Sequence, residues 1–104
     1  MSYKLVSATE MNRQHPTTFH LPPPEDFAAL SEGDFVKAGF ETNLARRGIR
    51  TERMWIEVKS IEGDVITGEL NNDPVIFFGV LKLGDPVMLK MENVMSIMLI
   101  KDKS

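Results

Sequence analysis

Four of the five arginines stand within eight residues, "RRGIRTER" at 46–53. Arg46, Arg47, Arg50 and Arg53, set against Glu52, give this octet a charge of +3 in a chain of net charge −3. A guanidinium presents a planar fork of donors that fits carboxylate and phosphate oxygens. Such a cluster suits an anion: a phosphate, an acidic peptide or RNA. Trp55 lies two residues further on and can stack on a base or a guanidinium. The octet also reads as a solvated connection between strands. The steps from Arg47 to Arg50 to Arg53 alternate faces on a strand but converge in a loop or helical turn. The expectation is an irregular or helical segment from Leu44 to Arg50, with Arg46, Arg47, Arg50, Arg53 and Trp55 as candidate binding residues.

Other chemistry-bearing residues point to structure. His15 and His20 are the only histidines. A general base needs a fixed partner, and a metal site needs a third ligand; "HPTTFH" supplies neither. Met88, Met91, Met95 and Met98 could offer thioethers to Cu(I), but methionine is a common core filler, and core packing is the reading taken. With no cysteine in the chain, thiolate metal sites and disulfides are excluded. No glycine-rich phosphate loop or nucleophile elbow occurs. Asp34, Asp64, Asp73 and Asp85 sit at turns, where the side chain bonds its own backbone. No catalytic residue, metal or cofactor is assigned, and the chain is expected not to be an enzyme.

The elements that must hold these residues are mostly strands. "FVKAGFE" alternates Val36, Ala38 and Phe40 against Phe35, Lys37 and Glu41, and "MWIEVKSI" alternates Met54, Ile56 and Val58 against Trp55, Glu57 and Lys59. Period 2 marks half-buried strands, which puts Trp55 on the face away from the core. Gly63 sits in a predicted hairpin turn between strands at 53–61 and 64–70. Asn72, Asp73 and Pro74 form a second turn, "VIFF" at 75–78 a short apolar strand, and "VMLKM" and "IMLIK" two more strands. The methionine spacing at 88–98 also fits a helix, but strand–turn–strand, with the turn at Glu92-Asn93, is favoured because Pro86 precedes it.

Leu-x-x-Gly-Asp-x-Val occurs twice, at 30–36 and 81–87. Each copy places a leucine to bury, a glycine able to take positive φ (Gly33, Gly84), an aspartate to bond the turn (Asp34, Asp85) and a strand start. The flanking residues differ, so two similar corners are expected rather than an internal repeat.

Short strands at this spacing predict a mainly β fold, a small SH3-like or otherwise partly open β-barrel. At 104 residues it is read as a single domain, with residues 1–26 as an irregular Pro-rich arm and 27–104 as the barrel core. Pro22 to Pro24 force an extended run, and "PEDFAAL" can form one helical turn. Few regular hydrogen bonds are expected from 8 to 26.

The stretch from Glu52 to Val94 resembles a bacterial family, domain of unknown function 2314. The shared pattern is Met54-Trp55 entering a strand, then Gly68-Glu69-Leu70, the turn Asn72-Asp73-Pro74, and Leu81 through Val87; "LSEGDFVKAGFE" resembles the upstream strand. Family members often carry Asp-Trp-Met near the C-terminus, where this chain has Ser96-Ile97-Met98. The resemblance implies one bacterial β-rich domain and no catalytic residues.

The function expected is a non-enzymatic binding or interaction module. Alternatives are an immunity-type, toxin-neutralising protein and a small barrel that binds RNA or another anion. The acidic balance argues against general nucleic-acid binding. No apolar run reaches the ~20 residues that span a bilayer, and the N-terminus has no apolar signal core, so a cytoplasmic location is expected. Apolar edges at "VIFF" and "IMLI" suggest a homodimer.

Overall fold

The period-2 segments assemble into one six-stranded antiparallel sheet. A computed structural model describes residues 3–44 and 48–100. The strands are β1 (Lys4–Leu5), β2 (Phe35–Leu44), β3 (Gly48–Glu62), β4 (Val65–Leu70), β5 (Pro86–Lys90) and β6 (Ser96–Met98), with helices α1 (Ala8–Gln14) and α2 (Pro24–Ala29). The order is β1-β2-β3-β4-β5, and β6 pairs with β2. β3 holds one edge of β2, so β1 and β6 share the other: Lys4 and Leu5 pair with Glu41 and Phe40, and Ser96–Met98 pair with Lys37–Phe35. The curled sheet is a half-barrel, the partly open form expected for this mainly β chain.

The concave face is the core. Val36, Ala38 and Phe40 from β2, Met54, Ile56 and Val58 from β3, Ile66 and Leu70 from β4, and Val87 and Leu89 from β5 are all buried. One extra residue interrupts β3. The register runs Val58↔Gly68 and then Ser60↔Thr67, a bulge beside Lys59. A bulge moves the chain by one residue and exchanges its faces, so Ile61, out of step with Val58, still packs against the core.

Four sequence expectations are corrected in whole or in part. "VIFF" is not a strand: residues 75–78 lie in turns, with only an isolated bridge from Phe78 to Leu81. The arm is not irregular throughout, because residues 8–14 form α1. Ser7 caps that helix by accepting the Glu10 N–H, and Ser-x-x-Glu is a helix-start signal that was available in the sequence. Leu44 and Gly48–Arg50 are neither loop nor helix, since they end β2 and begin β3 in register Leu44↔Gly48. The short helical turn at "PEDFAA" is present as α2. So is strand–turn–strand at 86–98, with a 3-10 turn over Met91–Asn93. Of the four methionines there, Met95 is buried and Met91 packs against the core, but Met88 and Met98 are exposed. Core packing therefore accounts for only two of them.

The arm docks on the sheet. Tyr3 stacks near Phe40 and Phe77, with ring centroids 5.1 and 6.1 Å away. The Val6 N–H donates to the Gly39 carbonyl at 2.9 Å, and its carbonyl accepts from Asn93 Nδ2 at 3.1 Å.

Candidate functional site

The two Gly-Asp corners have one construction. In the first, Asp34 Oδ2 accepts the Ser31 N–H at 2.9 Å, Gly33 N–H donates to the Val58 carbonyl at 2.9 Å, and Val58 N–H donates to the Asp34 carbonyl at 2.8 Å. In the second, Asp85 Oδ2 accepts the Lys82 N–H at 3.0 Å, Gly84 N–H donates to the Leu70 carbonyl at 2.7 Å, and Leu70 N–H donates to the Asp85 carbonyl at 2.8 Å. Gly33 and Gly84 have φ of 94° and 91°, a region costly for other residues. The repeated heptad thus writes one corner twice. These aspartates serve the backbone, and Asn72 does likewise: its Oδ1 accepts the Trp55 N–H, while Asn71 N–H donates to the Trp55 carbonyl at 2.8 Å. Asp73 is exposed and Pro74 half-buried in the same turn.

Glu52 explains why "VIFF" is no strand. Its carboxylate accepts three consecutive backbone N–H groups, from Val75 at 2.7 Å, Ile76 at 2.8 Å and Phe77 at 3.2 Å. Donors gathered on one side chain are withdrawn from any ladder. Phe77 is then fully buried, 6.3 Å from Phe40 between ring centroids. Its neighbour Phe78 points out and is 82% exposed, with Val75 80% and Leu83 57% exposed nearby in the chain. This apolar apex, held on a fixed backbone, was visible in the sequence only as adjacent phenylalanines, of which one must face outward.

The arginines are divided. Arg46 and Arg47 lie outside the described residues. Arg50 and Arg53 are three residues apart on β3 and so face opposite sides. Arg53 and Trp55 share the convex face, as the sequence placed Trp55. Lys37 is the register partner of Trp55, and its ammonium lies 4.7 Å from the indole centroid. Arg53 Cζ lies 5.8 Å from the Phe19 ring of the arm. The result is a row of alternating rings and cations, Phe19–Arg53–Trp55–Lys37. Lys37 and Phe19 were not singled out from the sequence; Lys37 meets Trp55 only through the β2–β3 register, and Phe19 meets Arg53 only where the arm docks.

Charge elsewhere is mostly local. Glu10 is held down at about 2, from an ordinary 4.5, chiefly by its hydrogen bond from Arg13, then by one from Gln14. Lys59 is pushed up by its hydrogen bond to Glu57. His15 and His20 are exposed. Among the described residues, no group of three or more His, Asp or Glu side chains is placed to hold a metal ion, and no helix is long and apolar enough to cross a membrane.

No curated protein and no solved structure matches the chain. Residues 27–104 match a family described as uncharacterized protein conserved in bacteria, DUF2314. The match takes in both Gly-Asp corners, the Glu52-held apex and Trp55, and leaves out β1 and α1. With 78 of its 104 residues inside that match, the chain belongs to the DUF2314 family.

Proposed function

We propose that the chain is a non-enzymatic interaction module that meets a protein partner through the apex at 75–83. The observation that carries this reading is the exposure of Phe78, 82%, on a backbone latched by Glu52. Large exposed apolar side chains grouped together mark contact surfaces. The backbone just before Phe78 is fixed in advance through Val75, Ile76 and Phe77, so less chain ordering is left to be done on binding. Asp34, Asp85 and Glu52 hold backbone groups, so these carboxylates serve as structure rather than as acids or bases.

Phe78→Asp together with Leu83→Ser tests the reading. Both sites are exposed, so stability should change by no more than about 0.5 kcal/mol, the ordinary range for surface changes. Photo-crosslinking in the source cells from a probe amino acid at position 75 should trap a partner when Phe78 and Leu83 are present and lose it in the double variant carrying the same probe. Equal trapping by both chains overturns the proposal. Light scattering shows whether the partner is a second copy: a mass above the monomer's 11.7 kDa that falls to the monomer value in the double variant means self-association through the apex.

A second reading rests on the row Phe19–Arg53–Trp55–Lys37. Two cations seated on aromatic rings suit an acidic segment laid across the convex face. Arg53→Gln and Lys37→Gln would weaken such binding and flatten its salt dependence, leaving contacts at the apex unchanged.

A further inference from the structure

Between the arm and the convex face lies a cleft of ≈390 Å³ lined by Val6, Met11, Glu41, Thr51, Arg53 and Met95. That volume is within the range of small-ligand sites, about 300–1,000 Å³. The pairing places its polar groups. Arg53 is opposite Gly39 and Glu41 is opposite Thr51, so the two charges are diagonal neighbours on one face. Gly39 presents no side chain between them. A Cβ there would meet Met95 Cε at 2.6 Å and Val6 Cβ at 3.3 Å, so the absence of one lets Met95 and Val6 form the apolar wall.

Neither charge is satisfied by the other. Among the described residues, no ion pair within 4.0 Å involves Arg53 or Glu41. The Phe19 ring centroid lies 5.8 Å from the guanidinium carbon, and among the described residues no side-chain hydrogen bond or ion pair takes up the Arg53 donors. A lone oxyanion attracted by Arg53 would also meet Glu41, and a lone ammonium drawn to Glu41 would also meet Arg53. A molecule carrying an ammonium and a carboxylate on one carbon satisfies both. A second cleft of ≈520 Å³ continues past Glu41, sharing Val6 and Met11 and adding Glu92, Glu10 and Lys4. Glu10 is engaged by Arg13 and Gln14. Lys4, opposite Glu41 in register, makes no ion pair with it within 4.0 Å, and Glu92 adds negative charge on the side away from Arg53.

We infer that this cleft binds a free α-amino acid with an apolar side chain. Its carboxylate meets Arg53 and the Thr51 hydroxyl, its ammonium meets Glu41, and its side chain lies on Met11, Met95 and Val6. Methionine walls adapt to several aliphatic shapes. Val6 and Met11 belong to the arm, outside the family match at 27–104, so occupancy also fastens the arm to the domain.

Isothermal titration calorimetry of the full chain with L-leucine tests this, against 4-methylpentanoate, which lacks the ammonium, and 3-methylbutylamine, which lacks the carboxylate. Saturable binding of L-leucine is expected, with each half-molecule weaker by about tenfold or more, the scale of one lost charge-assisted hydrogen bond. Arg53→Gln should weaken both carboxylate-bearing probes. Glu41→Gln should weaken L-leucine and remove its advantage over 4-methylpentanoate. Trp55, the only tryptophan, reports the same titrations by its emission. No saturable binding of L-leucine to the folded chain overturns the inference, and so does equal affinity for 4-methylpentanoate. Phe78→Asp should leave L-leucine binding unchanged, so this inference and the apex proposal fail or stand separately.

Discussion

Asp34 and Ile100, 66 residues apart in sequence, are joined where β2 and β6 pair: Asp34 Oδ1 accepts the Ile100 N–H at 2.8 Å, while Oδ2 of the same carboxylate accepts from Ser31. One fully buried side chain therefore closes the first corner and fastens the segment after β6. Asp85, its counterpart, is half-exposed, and its Oδ1 has no hydrogen-bond partner among the described residues. The same substitution should then cost different amounts. Asp34→Ala removes a buried carboxylate that holds two part-buried N–H groups and should destabilise by about 2–3 kcal/mol, and Asp85→Ala, where water reaches the turn, by about 1 kcal/mol. Urea melts of the two variants check the inequality, and equal losses would contradict it.

Glu52→Gln should unlatch the apex. The amide offers one acceptor oxygen and turns N–H donors toward other donors. Hydrogen exchange at Val75, Ile76 and Phe77 should speed up by about tenfold or more, with little change in the strands. If protection at these three amides is unchanged, the carboxylate is not what holds them.

Two glycines separate backbone strain from crowding. Gly63 has φ of 58° and open space where a Cβ would stand, so Gly63→Val should cost about 1 kcal/mol or more through the backbone alone. A Cβ on Gly68 would lie 2.3 Å from the Glu57 carbonyl oxygen and 2.7 Å from Ile56 Cγ2. Gly68→Ala must therefore push β4 from β3 and should cost about 3 kcal/mol. Thermal melts should rank Gly68→Ala as the more damaging, although alanine is the smaller residue.

The bonds of Glu10 to Arg13 and Gln14 should survive until strongly acid pH. The Glu10 carboxyl is held at about 2 by Arg13 and Gln14, below its ordinary 4.5. A depressed value means the interaction is fully present above the ordinary value and is lost as pH falls through about 2. NMR of the Arg13 side chain and α1 amides from pH 5 to about 1 should show that loss, and in Glu10→Gln this pH dependence should vanish.

Much of the sheet was legible because burial on one face imposes period 2 directly on residues such as Val36, Ala38 and Phe40, or Met54, Ile56 and Val58. The Gly-Asp corners were legible for a related reason, since positive φ and a carboxylate cap demand particular residue types within four positions. Other features depended on partners distant in sequence. "VIFF" has every local property of a strand, and only Glu52, at least 23 residues earlier, takes its donors. Arg50 and Arg53 were separated by the length of β3, which pairing with β2 extends to Gly48. The cleft at Arg53 needed Val6, Gly39 and Met95, which meet only when β1 and β6 share the free edge of β2. Local chemistry chose strands and turns, and tertiary pairing decided which side chains became neighbours, because register and edge sharing join positions that no sequence window contains.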